Sequence, residues 1–228
     1  MNRGGSITQT GIGATAFIVS GTLDNTSGSI QTNAADLTLA PAALVNDNGT
    51  IASSGNGTLS VSTSSLSNTG GTIATNGALA VTSGVLSNLG GTLAAQTSAT
   101  LDVASLDNRA GGYVGAQNVS INDTGALDNT NGTLQANNSL AVTAQSISND
   151  NGSIANGGAS ATTVTASAAL TNTNNGFIGG NGDVSVSGAS VDRTGAAASR
   201  RPGSARLRSS CRARWTTPRA RFKPMPRI

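Results

Sequence analysis

A nearly constant eight-residue phrase recurs along this chain, and its recurrence constrains the fold more than any other feature. The phrase reads LDNTSGSI from Leu23, LSNTGGTI from Leu66 and LDNTNGTL from Leu127. Eight copies begin at residues 23, 44, 66, 86, 106, 127, 147 and 170, and the last is one residue longer. A period close to 20 residues is typical of a solenoid, in which each repeat packs only on its neighbours.

A second apolar pattern lies between the phrases and predicts strands. Two apolar residues recur there at a spacing of two, which places both side chains on one face of a strand. The pairs are Leu37/Leu39, Leu59/Val61, Leu79/Val81, Leu101/Val103, Val119/Ile121, Leu140/Val142 and Val184/Val186. No window has the i, i+3, i+4, i+7 spacing of an amphipathic helix. The pattern predicts an all-β chain in which each period forms one three-stranded, triangular coil of a parallel β-helix.

The phrase itself contains turn residues. Its leucine is predicted to point inward, and the asparagine in third position to adopt a left-handed conformation. The glycine three residues later is predicted to take a φ that a Cβ would oppose. Coils stacked about 4.8 Å apart would align the asparagines as an amide ladder. The predicted structural turn positions are Asn25, Asn46, Asn68, Asn88, Asn108, Asn129, Asn149, Asn172, Gly28, Gly49, Gly71, Gly91, Gly111, Gly132 and Gly152.

Two segments of opposite charge divide the chain. Residues 1–198 hold three Arg and ten Asp, a net charge of −7, and are predicted to form a β-helix array of about nine coils. MNRGGSI matches the phrase from its second position, so the array is expected to start in mid-coil. Residues 199–228 hold nine Arg and one Lys without an acidic residue, and this Arg/Pro-rich tail is predicted to be disordered.

The origin of the tail has three readings. We favour a frameshift, because GC-rich codons for Asn-Thr-Gly-Gly read out of frame as Arg, Pro and Ala. An inert solvated tail and a basic arm for nucleic acid are the alternatives. The N-terminus has no apolar segment typical of a signal peptide, and the most apolar stretch, Gly11–Val19, is too short to span a bilayer.

The composition argues against an enzyme. The chain has no His and no Glu, and its Cys and Lys lie in the tail, so we predict no catalytic, cofactor-binding or metal site. Asp107 and Asp128 occupy the same place in adjacent coils, near the carboxylate spacing of a retaining glycosidase, but no aromatic platform for sugar accompanies them. GGNGDV from Gly179 partly matches a calcium-binding repeat and GIGATA from Gly11 a dinucleotide loop. We interpret all three as turns.

The run L-(D/S)-N-x-x-G-(T/S)-(I/L) resembles the haemagglutinin repeats of filamentous haemagglutinin-type exoproteins. That group includes two-partner secreted adhesins and the stalks of contact-dependent growth-inhibition effectors. The resemblance covers Met1 to about Ala198. It implies a right-handed β-helix without catalytic residues, export through an outer-membrane transporter, and a fibre on the surface of a Gram-negative bacterium. The family's N-terminal secretion domain and C-terminal effector domain are not in this sequence.

The resulting hypothesis is a non-catalytic stalk or adhesive segment of a large secreted or surface-exposed exoprotein, of which this chain is a fragment. The parent would carry a binding or effector end toward a receptor or glycan on a host or neighbouring cell. The alternative is a polysaccharide-active or polysaccharide-binding β-helix protein. No cofactor, nucleic-acid partner or transmembrane segment is expected.

Overall fold

The structure, a computed structural model, describes residues 1–196 and the backbone of one further strand at 207–211. These residues form a parallel β-solenoid of about nine turns, with about 21 residues per turn and no helix. Every strand pairs in parallel with its counterpart in the adjacent coil. The predicted all-β solenoid is therefore confirmed. Within the described part of the chain, no helix is long and apolar enough to cross a membrane.

Each coil is built from a short strand after the turn and a longer strand that leads into the next turn. The short strands are β1 (Ser6–Gln9), β3 (Ser29–Thr32), β5 (Thr50–Ser53), β7 (Thr72–Thr75) and β9 (Thr92–Ala95). The long strands are β2 (Thr15–Asp24), β4 (Leu37–Val45), β6 (Thr58–Ser67), β8 (Ala78–Ser87) and β10 (Ser98–Asp107). The ladder between β8 and β10 skips one residue after Ser83, so the long strand supplies two sides of the triangle.

Beyond residue 112 the same path is divided differently. Two strands, β11 (Tyr113–Asp123) and β13 (Thr133–Ala144), join the short strand to the side that follows it. The remaining sides are β12 (Ala126–Asp128), β14 (Ser146–Ser148), β15 (Ser153–Asn156), β16 (Thr162–Ala166), β17 (Ala169–Thr171), β18 (Phe177–Gly180), β19 (Val184–Gly188) and β20 (Ser190–Asp192). A last strand, β21 (Leu207–Cys211), pairs in parallel with β19.

The core consists of columns in which each apolar residue lies on its counterpart one coil away. The phrase's first residue forms one column, because β-strand side chains alternate and the register holds from coil to coil. Its buried members are Leu23, Leu44, Leu66, Leu86, Leu106, Leu127, Ile147 and Leu170. A second buried column contains the apolar residue that follows each turn. It is the phrase's last residue except in the copy at 106, where Val114 follows the phrase. The members are Ile30, Ile51, Ile73, Leu93, Val114, Leu134, Ile154 and Ile178.

The spacing-of-two pairs form the third side, and the register adds one residue to the predicted set. In the coil that begins at residue 86, Ala99 and Leu101 lie on Leu79 and Val81, so Ala99 belongs to the core as well. Val103 lies on Ser83, closer to the corner, and is buried in the same core. The predicted pair Leu101/Val103 therefore faces the core, together with Ala99.

The predicted tail lies mostly outside the described residues. Within 199–228 only β21 is described, and it continues the parallel ladder by one strand. The predicted boundary at residue 198 and the origin of the tail remain predictions.

Candidate functional site

The predicted turn positions come together as one continuous ladder inside the solenoid. Asn88 is fully buried, and its Nδ2 lies 2.8 Å from Oδ1 of Asn108 and 3.1 Å from the carbonyl oxygens of both Gly91 and Tyr113. The same side-chain bond joins each ladder asparagine to the next at 2.6–2.8 Å. The ladder residues are Asn2, Asn25, Asn46, Asn68, Asn88, Asn108, Asn129, Asn149 and Asn172.

The left-handed residue of the turn is not the ladder asparagine, as the sequence suggested, but the residue two positions later. Asn48 has φ +53° and Asn131 has φ +57°, and Gly70 and Gly90 occupy the same place at +62° and +60°. Asparagine and glycine tolerate this region best, which explains their frequency there. The ladder asparagine has another role, because its amide donates a second hydrogen bond to a turn carbonyl. Gly91, for example, accepts both the amide of Asn88 and the backbone N–H of Tyr113.

The recurring glycine of the phrase is required because a backbone carbonyl of the preceding coil approaches it closely, and not because of its φ. A Cβ on Gly91 would lie 2.0 Å from the carbonyl oxygen of Asn68 in the preceding coil. The same clash, at 2.0–2.2 Å, faces Gly28, Gly49, Gly71, Gly132 and Gly152. Gly111 is an exception to the prediction: it has φ +85° and open space, and Gly112 makes the close approach. The turn there is one residue longer, so the spacing was misjudged.

The ladder ends at Asn172 within the described part of the chain. Arg193 stands at the next ladder position, and the amide of Asn172 donates to the carbonyl of Gly176. The backbone turn itself persists, since Gly195 has φ +70° and Ala196 N–H donates to the carbonyl of Arg193 at 3.2 Å. The turn therefore forms without the asparagine, whereas the side-chain ladder does not.

Aspartates in the second position of the phrase cap the turn from outside. Asp24 accepts hydrogen bonds from the backbone N–H and the hydroxyl of Thr26, and the Arg3 guanidinium also donates to it. These bonds, chiefly that of the Thr26 hydroxyl, lower the pKa of Asp24 to about 2. Asp192 makes the same pair of bonds with Thr194, which lowers its pKa as well. These carboxylates are structural turn caps in their ionised form.

The two carboxylates considered as a glycosidase pair are in register but share a cation. Asp107 pairs with Asp128 in the adjacent coil, and Arg109 lies beside both. Arg109 Nη2 is 2.8 Å from Asp107 Oδ2, and its Nε is 3.7 Å from Asp128 Oδ2. The hydrogen bond from Arg109 lowers the pKa of Asp107. A general acid needs the opposite shift, so Asp107 does not fit that role, and Arg109 occupies the space between the two carboxylates.

One buried carboxylate lies at a corner that the sequence did not single out. Asp123 occupies the place of Val103 in the preceding coil and is almost fully buried. Its two oxygens accept the backbone N–H groups of Leu106 and Gly125 at 3.0 and 2.8 Å. Burial raises its pKa although both hydrogen bonds oppose the shift. Asp123 thus accepts backbone N–H groups at a corner where the hydrogen bonds between coils are interrupted.

The two weak motifs form ordinary backbone structure. The carbonyl of Asp183, in the GGNGDV stretch, accepts the N–H of Thr162, and the Asp183 side chain is exposed. The GIGATA stretch is an exposed loop leading into strand β2 rather than a helix. Across the described residues, no group of three or more His, Cys, Asp or Glu side chains could hold a metal ion.

Two aromatic residues lie on one outer face, a feature that the sequence analysis missed. Tyr113 and Phe177 occupy the same column, three coils apart, with Thr133 and Ser153 between them. Each ring covers the glycine two residues later. A Cβ on Gly115 would meet Tyr113 ring atoms at 2.4–2.6 Å, and a Cβ on Gly179 would meet Phe177 ring atoms at 2.5–3.1 Å. The sequence signal for this feature was an aromatic residue followed by glycine two positions later, which allows the ring to lie against the backbone.

The unbroken parallel ladder, the internal asparagine column and the outward Thr, Ser and Ala residues define a repetitive β-solenoid. The chain belongs to the haemagglutinin repeat family, whose model matches residues 1–56, 27–131, 114–174 and 159–201. It is similar to the tRNA nuclease CdiA-2 of Burkholderia pseudomallei (strain 1026b), with 47% identity over 73 residues, 30% of this chain. The chain spans only 2% of that relative's length. No solved structure matches it.

Proposed function

We propose that this chain is a stalk segment of a large adhesin-like exoprotein, with a spacing role and no catalysis of its own. The observation that carries the proposal is the unbroken register from Leu23 to Leu170. A grafted binding or catalytic module would interrupt the register with a long insertion. The departures are short: the corners at 54–57 and 157–161, a register shift between Ala116 and Asn118, and the extra turn residues at 111 and 174–175.

A stalk of this kind would act through its length. Parallel coils repeat about every 4.8 Å, so about nine coils extend roughly 40 Å. The described body carries no Lys, and each side of the triangle pairs only with the next coil. Such a solenoid lengthens by adding coils without changing its cross-section, which suits a protein that holds a terminal module away from a cell surface.

The family supports an extracellular setting for the parent protein. We propose that it is secreted or held at the bacterial cell surface, that an outer-membrane transporter exports it, and that its other regions engage a receptor or glycan on a host or neighbouring cell. The nuclease in the relative's name belongs to that protein, of which the matched region is a small part.

Removal of whole coils tests the spacing role. Deletion of residues 66–85 or of residues 86–105 removes 20 residues and rejoins the phrase in register. Spin labels at Ser29→Cys and Ser153→Cys, in a Cys211→Ser background, lie six coils apart in one column, about 29 Å. We expect each deletion to shorten the distance between the labels by about 5 Å.

Binding to cells gives the second readout. A spacer does not bind cells itself, so the purified chain and both deletion variants should be equally inert toward host and bacterial cells. Binding by the intact chain that only one of the two deletions abolishes would contradict the spacing role. It would instead assign an adhesive site to that coil.

A second candidate, polysaccharide binding, is favoured by Tyr113 and Phe177. Two rings that lie flat on one face, about 14 Å apart along the axis, are suited to stacking against sugar rings. We expect a Tyr113→Ala/Phe177→Ala variant to lose glycan retention, whereas Thr133→Ala, in the same column, keeps it. Absence of glycan binding by the intact chain would dismiss this candidate and leave the stalk role untouched.

A further inference from the structure

Eight Asn-Gly dipeptides make this chain chemically unusual. They begin at Asn48, Asn56, Asn76, Asn131, Asn151, Asn156, Asn175 and Asn181. Asn-Gly is the dipeptide most prone to succinimide formation, because glycine has no side chain to hinder attack by its own backbone nitrogen on the asparagine Cγ. The attack requires a free glycine N–H and a mobile asparagine side chain. The fold determines which of the eight pairs meet both conditions.

The turns of the repeat protect their Asn-Gly pairs. Gly49 and Gly132 are buried, and their N–H groups donate to the carbonyls of Asn46 and Asn129, each at 3.0 Å. The N–H of Gly176 likewise donates to Thr173 at 2.8 Å. The hydrogen bond of such a nitrogen must break before the nitrogen can react. The turn geometry therefore suppresses succinimide formation, although the Asn-Gly sequence favours it.

The other pairs are held by different contacts. Gly77 N–H donates to the hydroxyl of Thr75 at 3.1 Å, and Gly157 N–H donates to the carbonyl of Ala136 at 2.8 Å. The amide of Asn151 donates to Oδ1 of Asn131 at 2.7 Å, and its glycine is buried. The amide of Asn181 donates to the carbonyl of Gly157. Each pair thus has at least one of its two reacting groups engaged.

Asn56-Gly57 differs from the other seven Asn-Gly pairs. The Asn56 side chain is exposed, and neither its amide nor the N–H of Gly57 has a hydrogen-bond partner among the described residues. The reason is the length of the corner: four residues separate β5 from β6, whereas two separate β7 from β8. The corner packs against the carbonyls of Ala34 and Ala35 in the preceding coil, but neither carbonyl accepts the N–H of Gly57.

We propose that Asn56 is a site of spontaneous deamidation in the folded protein. The Gly57 backbone nitrogen bonds to Asn56 Cγ, the Cγ–Nδ2 bond breaks, and the amide nitrogen leaves as ammonia with the proton from Gly57 N–H. Water then opens the succinimide at either carbonyl, giving aspartate or isoaspartate at position 56. No oxidant, enzyme or cofactor takes part, because the net reaction exchanges ammonia for water.

The modification would place charge and strain at a crowded corner. A Cβ on Gly57 would lie 2.4 Å from Asp36 Oδ1, so the loop already runs close to one carboxylate. Asp36 Oδ1 accepts the N–H of Thr58 at 2.7 Å, which anchors the start of β6. A second negative charge nearby opposes this arrangement, and isoaspartate adds a methylene to the backbone. The corner between β5 and β6 is therefore where the solenoid would first loosen with age.

Mass spectrometry of the ageing full-length chain tests the proposal. The chain is incubated in mildly alkaline buffer, digested with pepsin, and the amide-to-acid mass change and isoaspartate are quantified at each site. We expect Asn56 to react at least about fivefold faster than Asn48 and Asn131 in the folded state. In urea the three rates should converge. Equal rates in the folded chain, or an unreactive Asn56, would overturn the proposal.

Two variants extend the test. Asn56→Gln should abolish the early modification without altering the other sites, since glutamine cyclises far more slowly. Thr75→Val removes the acceptor of Gly77 N–H but leaves the amide of Asn76 donating to the carbonyl of Ser54, so we expect the rate at Asn76 to rise severalfold and to stay below that of Asn56. No change at Asn76 in a folded Thr75→Val variant would show that the glycine hydrogen bond does not control the reaction.

Discussion

The side-chain amide of Asn88 donates to Oδ1 of Asn108 at 2.8 Å, although the two residues are 20 positions apart. Asn88 also accepts the amide of Asn68 at 2.8 Å, so each member of the column is both donor and acceptor. The bonds run in one direction, from Asn2 toward Asn172. The solenoid therefore contains a buried polar axis that couples every coil to the next.

Replacement of Asn88 by Ala should strongly destabilise the protein. The change leaves Oδ1 of Asn108 without its donor and breaks the bond from the amide of Asn68, whereas the Gly91 carbonyl keeps the N–H of Tyr113. An unsatisfied buried group costs about 1–3 kcal/mol and a lost hydrogen bond about 1 kcal/mol, so we expect a loss of about 2–4 kcal/mol in the free energy of unfolding. Urea denaturation measures it. Asn76→Ala is the control, because Asn76 is exposed and donates only to Ser54; equal losses would contradict the ladder's role.

Gly91→Ala should be about as damaging as loss of the ladder asparagine. The new Cβ would lie 2.0 Å from the carbonyl oxygen of Asn68, and neither backbone can move without breaking the stack. We expect a loss of about 3 kcal/mol, within the range of severe overpacking. Gly13→Ala is the matched control, since its Cβ meets nothing within 4 Å and should change stability by less than about 1 kcal/mol. Thermal unfolding of both variants decides the comparison.

Thr162→Val should stabilise the protein. Thr162 lies in a core column between Leu140 and Val184, it is fully buried, and its hydroxyl has no hydrogen-bond partner. Exchange of the hydroxyl for a methyl group removes a desolvated polar atom, and we expect a gain of about 1–2 kcal/mol in the free energy of unfolding. Thr163→Val, on the exposed face, should be nearly neutral. A destabilised Thr162→Val variant would indicate that the hydroxyl has an unrecognised partner.

Asp123 should make stability fall as pH rises through the acidic range. Burial raises its pKa above 3.8, so the folded state keeps the proton after the unfolded state has lost it. Between 3.8 and the raised value the folded chain binds more protons, and stability therefore decreases with increasing pH. The Asp123→Asn variant has no carboxyl group at this position and lacks this pH dependence. As pH rises through this window, we expect the native chain to lose stability relative to the variant. A difference independent of pH would refute the assignment.

Arg109→Gln should raise the pKa of Asp107 toward its ordinary value. The Arg109 hydrogen bond lowers that pKa, so Asp107 stabilises the fold above 3.8 and loses this contribution as pH falls through the lowered value. The pair is partly exposed, so we expect only a small loss in the free energy of unfolding at neutral pH. NMR titration of the carboxyl carbons measures the shift. The pKa of Asp192, lowered through Thr194, should stay unchanged.

Much of this architecture was predictable because each coil is a short, continuous segment whose sequence pattern recurs. The recurrence of Leu23, Asn25, Gly28 and Ile30 at a constant period predicted the solenoid, the inward leucine and the asparagine column. Periodicity carries that information because each residue in a parallel stack contacts its own counterpart. The same reasoning assigned the left-handed conformation to the ladder asparagine and the close approach to Gly111 instead of Gly112. Both errors arose because turn conformation depends on backbone geometry that the amino-acid sequence alone does not specify.

The sequence by itself determined the period, the alternation of apolar residues and the separation of an acidic body from a basic tail, since these depend only on composition and spacing. The tertiary structure decided which atoms meet between coils. It placed Gly91 against the carbonyl of Asn68, added Ala99 to the core beside Leu101, and buried Asp123 at a corner. Those outcomes depend on the register of one coil on the next, in which a shift of one residue reverses every side chain.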